Sequence, residues 1–174
     1  DAKTPADALK LTEAFIQRFR NDPLIVPAVA PHAVYTNSDE TLKATRALAN
    51  KYAVPLLIHL SETRKENDDL VAKRGLTPTK VLEQLGVLDG RTVAAHGVWI
   101  DAADMRILRA HDTGVAHCPS SNTKLASGIA PVMGYLRQNV ALGLGTDGVA
   151  GSNNDVDMFE EMDLAAKLQK VTTH

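Results

Sequence analysis

Five short apolar runs punctuate the chain, and each gives way to a residue able to bind a metal or move a proton. Leu24 to Ala30 is followed by Pro31-His32, and Pro55 to Ile58 by His59 and then Glu62. Arg91 to Ala95 is followed by His96, Gly114 to Ala116 by His117, and Val140 to Gly145 by Asp147. Such near-continuous apolar runs predict strands covered on both faces, at 24–30, 55–60, 91–96, 114–118 and 140–145. Between them the apolar spacing is helical. Thr4-Pro5 reads as an N-cap and first-turn proline ahead of the stripe Leu11, Phe15, Ile16 and Phe19, predicting a helix over 5–20 that Asn21-Asp22-Pro23 ends. Asn37 and Glu40 form a capping pair for a helix over 38–52. Further helices are predicted over Glu66 to Lys73, from Thr77-Pro78 to Gly86, from Asp101 and Asp104 through Leu108, from Pro131 through Leu136, and over about 155–170.

Strand and helix alternate, which is the pattern of parallel βα units. A doubly wound sheet shares it, but no Gly-rich phosphate fingerprint follows any strand. A barrel, with its active site at the C-terminal strand ends, better explains a ligand-capable residue at every tip. A complete (β/α)8 barrel takes roughly 250 residues. At 174 residues, the expectation is one domain, residues 1–174, forming a partial TIM-type barrel of about five parallel βα units.

Composition changes this picture little. A hydrophobic fraction of 44% and a charged fraction of 23% are those of an ordinary globular domain. A formal net charge of -2, with Lys and Arg scattered, offers no face for nucleic acid. No apolar run approaches the roughly 20 residues of a membrane span, and Asp1-Ala2-Lys3-Thr4-Pro5 has no export-signal character. The single Cys118 cannot form an internal disulfide, which fits a reducing, cytoplasmic compartment. Beside His117 and Pro119 it reads as a small buried side chain.

His59 and Glu62 are the strongest pair. A carboxylate three residues beyond a strand-end imidazole lies within reach for proton transfer near whatever that imidazole binds. Alone, His59 reads as a structural histidine and Glu62 as a helix N-terminal charge; with His96 and Asp147 at equivalent tips, a shared site is the better reading. His59 and Asp147 suit a divalent ion that makes water nucleophilic near neutral pH. His96 is either a third ligand or a group that polarises the attacking water, and spacing does not separate the two. Asp147-Gly148 alone would be a turn; with the histidines it reads as a ligand.

The segments Ile58-His59-Leu60-Ser61-Glu62-Thr63, Ala94-Ala95-His96-Gly97-Val98, His117-Cys118-Pro119-Ser120-Ser121-Asn122-Thr123-Lys124-Leu125 and Leu144-Gly145-Thr146-Asp147-Gly148, with 151–162 after them, resemble the amidohydrolase superfamily. Within it they are most like the 5-methylthioadenosine/S-adenosylhomocysteine deaminases. The resemblance implies strands 4–8 of the family barrel, with His59 a metal ligand on the fifth and Asp147 a ligand on the eighth that also takes a proton from the attacking water. It implies that Glu62 protonates the purine ring nitrogen and shuttles the proton to ammonia. His96 would contact the metal-bound hydroxide, His32 would bind substrate, and Ser152 is a further substrate-binding position. His117 is read as strand-end packing, His111 and His174 as solvent-facing.

The family's His-x-His pair on its first strand does not occur here, nor does its small β-sandwich. The expected parent protein is a metal-dependent aminohydrolase that converts an adenine nucleoside to its inosine analogue and ammonia. It would use one divalent ion: zinc, with iron, nickel or manganese as alternatives. This chain alone is expected to be inactive, and to assemble as a homo-oligomer or with the missing half of its barrel through the edges 24–30 and 140–145. The competing readings are an amidohydrolase acting on a chlorotriazine or guanine-type heterocycle, and a non-catalytic barrel fragment.

Overall fold

Four parallel strands carry the architecture in the computed structural model, which describes residues 2–172; His174 lies outside the described residues. Thr4 caps α1 (Pro5–Phe19), its hydroxyl accepting from the Asp7 amide at 3.1 Å. α2 (Asp39–Tyr52) leads to β1 (Leu56–Leu60), and α3 (Arg64–Arg74) and α4 (Pro78–Gln84) lead to β2 (Thr92–His96). α5 (Ala102–Ala110) precedes β3 (Gly114–His117), α6 (Pro119–Lys124) and α7 (Val132–Arg137) precede β4 (Leu142–Leu144), and α8 (Met158–Thr172) ends the described chain.

The sheet order is β1-β2-β3-β4, all parallel, so the C-terminal strand ends collect on one side. The register aligns Leu60 with His96, Ala95 with Ala116, and His117 with Leu144. Alternation along β1 sends Leu56, Ile58 and Leu60, all at 3% exposure or less, into the helix-covered core, where they join Leu42 and Leu48 of α2, Leu82 of α4 and Leu108 of α5. Leu57 and His59 point to the opposite face, where Leu57 is 40% exposed. Helices therefore shield one face of the sheet, and chemistry is left to the other face and to the tips.

The expected strand over 24–30 is not formed. Only Val29 makes a bridge, to Leu56, with Val29 N donating to Pro55 O and Leu57 N to Val29 O, both at 2.9 Å. Pro27 and Pro31 have no N–H to give a ladder. Leu24 and Val26, expected to be covered on both faces, are 91% and 77% exposed. α2 is capped by Ser38, which accepts from Thr41 N at 3.2 Å, while Asn37 turns back to donate to Ala33 O at 2.8 Å. α8 begins at Met158 rather than 155, because the Asp157 carboxylate accepts from Phe159 N at 2.8 Å. α6, which the hydrophobic pattern does not predict, follows directly from β3. His111 is half-buried rather than solvent-facing, its ring between Asp89 at 3.2 Å and Glu83 at 3.8 Å.

Candidate active site

At the tip of β1, the His59 ring is oriented by backbone. Its Nδ1 lies 2.8 Å from the His32 carbonyl, which also accepts from His59 N at 3.0 Å. A carbonyl can only accept, so Nδ1 carries the proton and Nε2 of the neutral ring is left as an electron-pair donor. His32 stays beside it, ring centroids 4.8 Å apart, with its own Nδ1 3.0 Å from Thr36 Oγ1. The chain then turns at Ser61, whose φ of 50° lies in the left-handed region. Ser61 O receives the amides of Val98 and Trp99, which ties the β1 tip to the β2 tip. Glu62 N donates to Glu66 Oε2 at 2.9 Å, and Ser127 Oγ donates to Glu62 Oε1 at 3.3 Å. Glu66 is itself buried, and that burial raises its carboxyl above the usual range.

At the tip of β2, His96 is 1% exposed and has φ of 71°. Non-glycine residues adopt this conformation at a cost and persist in it only where their surroundings hold them. Gly97 follows with φ of 57°; its carbonyl accepts from Tyr135 Oη at 2.5 Å, and a Cβ there would run into that hydroxyl. The His96 ring stacks on His59, centroids 5.3 Å apart. Its Nδ1 lies 2.9 Å from Asn122 Oδ1, and its Nε2 lies 3.8 Å from Glu62 Oε2 and 3.9 Å from Asp147 Oδ2.

Asp147 lies three residues beyond β4 with φ of 61°. Its partial burial alone would raise its carboxyl, but hydrogen bonds from Ser121 Oγ at 2.7 Å and Gly148 N at 2.7 Å, with Ser152 also contributing, hold it below the usual carboxylate range. Asn153 anchors the following loop, donating to Thr146 O at 2.8 Å and to Glu161 Oε1 at 2.9 Å. The other Glu161 oxygen accepts from Ser120 N at 3.1 Å.

His32, His59, Glu62, His96, Asp147 and Ser152 thus share one cluster at the strand tips. His117 does not join it through any hydrogen bond: it is fully buried, neither ring nitrogen has a partner among the described residues, and burial lowers its pKa to about 4. Cys118 is a buried thiol pushed up to about 12 by burial. Sequence reasoning gave no role to Ser121, Asn122, Asn153 or Glu161. The first two lie in the segment 117–125 and the last two in 151–162, both of which carry the family resemblance, but Glu161 by itself looks like an ordinary helix N-terminal charge.

Among the described residues, no three His, Cys, Asp or Glu side chains converge to hold a metal. His59 Nε2 and the Asp147 carboxylate are suitable donors, but catalytic zinc takes three protein ligands. The donors of this chain do not by themselves complete such a site.

The sequence profile of the amidohydrolase family matches residues 2–174. The chain belongs to the amidohydrolase family. This amidohydrolase chain is 54% identical over 158 residues to a 5'-deoxyadenosine deaminase of Methanothrix thermoacetophila, covering 91% of the chain and 38% of that relative. It is 47% identical over 167 residues to a 5-methylthioadenosine/S-adenosylhomocysteine deaminase of Thermodesulfovibrio yellowstonii, covering 96% of the chain and 38% of that relative. Among solved structures, an adenosine deaminase from Xanthomonas campestris with bound zinc superposes with a TM-score of 0.91 at 38% identity, over 96% of this chain and 38% of the other. An atrazine chlorohydrolase from Arthrobacter aurescens, at 23% identity and a TM-score of 0.77 over 86% of this chain and 34% of the other, shares the fold. The amidohydrolase chain therefore spans about 38% of the length of the curated relatives it matches, and its parallel α/β sheet is consistent with part of an amidohydrolase barrel.

Proposed function

We propose that the protein containing this chain is a hydrolase that deaminates an adenine nucleoside bearing a modified 5' position, such as 5'-deoxyadenosine, 5'-methylthioadenosine or S-adenosylhomocysteine. Water adds at the amino-bearing ring carbon, the C–N bond breaks, and the inosine analogue and ammonia leave. The observation that carries this reading is His96 Nε2 facing two carboxylates from different strand tips, Glu62 at 3.8 Å and Asp147 at 3.9 Å. It is supported by relatives that act on such nucleosides.

In this reading Glu62 gives a proton to the ring nitrogen beside the reacting carbon and then passes one to the departing amine. Asp147, held ionised by its hydrogen bonds, accepts a proton from the incoming water. His96 Nε2 orients that water between the two carboxylates, and His32 and Ser152 line the substrate side. His59 and Asp147 would hold a divalent ion, with zinc favoured, whose chemistry is to make water nucleophilic near neutral pH. The remaining donors come from outside residues 1–174, so a barrel completed by further polypeptide, or by assembly of chains, is part of the proposal. So is a reducing cytoplasmic setting, which suits the lone buried thiol of Cys118.

The test is turnover by the full-length protein of 5'-deoxyadenosine, 5'-methylthioadenosine and S-adenosylhomocysteine, beside guanine and a chlorotriazine. Ammonia release from the adenine nucleosides, with little or none from the other two or from the 174-residue chain alone, is the expected result. Turnover of guanine or the chlorotriazine without turnover of any adenine nucleoside would overturn it.

A further inference from the structure

Two neighbouring side chains of α6 reach two different strand tips. Ser121 Oγ donates to Asp147 Oδ2 at 2.7 Å, and Asn122 Oδ1 lies 2.9 Å from His96 Nδ1. Ser121 is fully buried and Asn122 is 1% exposed, so water does not compete for either contact. An amide oxygen only accepts, so the Asn122 contact requires a proton on Nδ1 of His96. In the neutral ring it then leaves the Nε2 electron pair facing the gap between Glu62 and Asp147. The opposite tautomer would put an N–H there and a bare Nδ1 against the amide oxygen. The contact thus dictates which nitrogen meets the reactants.

The helix that carries these two residues is itself held from behind. Glu161, fully buried on α8, accepts from Ser120 N at 3.1 Å and from Asn153 at 2.9 Å, and Asn153 also holds Thr146 O, one residue before Asp147. α6, the loop after β4 and the start of α8 are therefore linked through one carboxylate. His96, on a left-handed backbone, makes its side-chain hydrogen bond among the described residues to this unit, Nδ1 donating to Asn122 Oδ1.

We propose that Asn122 is a positioning residue, fixing His96 as the Nδ1–H tautomer with Nε2 aimed at the reaction gap, while Ser121 orients the Asp147 carboxylate. The kinetic part of this inference rests on the deaminase reading, but the tautomer does not. The test is 15N-histidine NMR on the full-length protein at a pH where the His96 ring is neutral, the signal assigned by its loss in His96→Gln. The expected result is a protonated Nδ1 in the wild type and a shift toward the Nε2–H form in Asn122→Leu. An Nε2–H ring in the wild type, or an unchanged tautomer in Asn122→Leu, would overturn the proposal even if no adenine nucleoside is turned over. If the enzyme is active, Asn122→Leu should lower kcat about 10- to 100-fold with KM little changed. Asn122→Asp, which keeps an acceptor, should recover most of that loss. Equal loss in both variants would contradict the assigned role and leave the deaminase reading standing.

Discussion

The two ends of the sheet are built on different physical terms. At β1, alternate residues are buried against helices, and α2 contributes Leu42, Leu48 and Ala49 to the same core. At β4 no residue is fully buried, and α8 docks through Glu161 and Gln169 while Phe159 and Val171 remain 79% and 74% exposed. Gln169 bonds Ala130 O at 3.0 Å and Met133 N at 3.3 Å, so the buried side chains of α8 dock through directed hydrogen bonds, with Leu164 and Leu168 half-buried beside them. Apolar burial is non-directional and sets how stable a region is, whereas a satisfied polar network specifies where its members stand. The two carboxylates that face His96 come one from each end: Glu62 follows the apolar strand, and Asp147 belongs to the polar end. Stability and placement are thus divided between the two sides of one cluster.

That division can be broken at either end. Leu56→Ala, at a fully buried position on β1, should cost about 2–5 kcal/mol of unfolding free energy by denaturant titration of the full-length protein. Leu144→Ala, at a half-buried position on β4, should cost well under that. Equal losses would erase the contrast. His117, buried between the two ends, sharpens it through pH. Its pKa falls from 6.5 to about 4 in the folded chain, so the unfolded chain binds a proton that the folded chain refuses. Stability present above pH 6.5 should therefore be lost as the pH falls through 4, by roughly 3 kcal/mol. His117→Gln should flatten that acid limb in unfolding measurements at pH 7, 5 and 4; an unchanged limb would contradict the assignment. A smaller effect than at His117 is expected at Glu161. Glu161→Gln keeps one acceptor and loses the other, costing about 1–3 kcal/mol, and activity should fall more steeply than stability because placement is what this end provides.

The contrast also explains what could be read in advance. Strand tips were legible because apolar runs end sharply at His59 and His96, and Thr4-Pro5 and Thr77-Pro78 mark helix starts by their chemistry. The run over 24–30 misled because its hydrophobicity hides Pro27 and is followed at once by Pro31, neither of which has an N–H for a ladder. α6 was missed because Pro119, Ser120, Ser121 and Asn122 have turn composition. They are helical here with Glu161, distant in sequence, accepting from Ser120 N. The polar end was thus the less legible one. Hydrophobic period reports on burial, while Ser121, Asn122 and Asn153 act through partners 26, 26 and 8 residues away that no local pattern announces.

In the proposed function, Glu62 moves the proton in an adenine nucleoside deamination at these strand tips. The most direct measurement is kcat for 5'-deoxyadenosine and 5'-methylthioadenosine in the full-length protein and in Glu62→Gln, with folding checked by unfolding midpoint. General acid-base catalysis contributes about 10²- to 10⁴-fold, and a loss of that size with the fold intact is predicted. A Glu62→Gln enzyme within a few-fold of wild type would contradict the account.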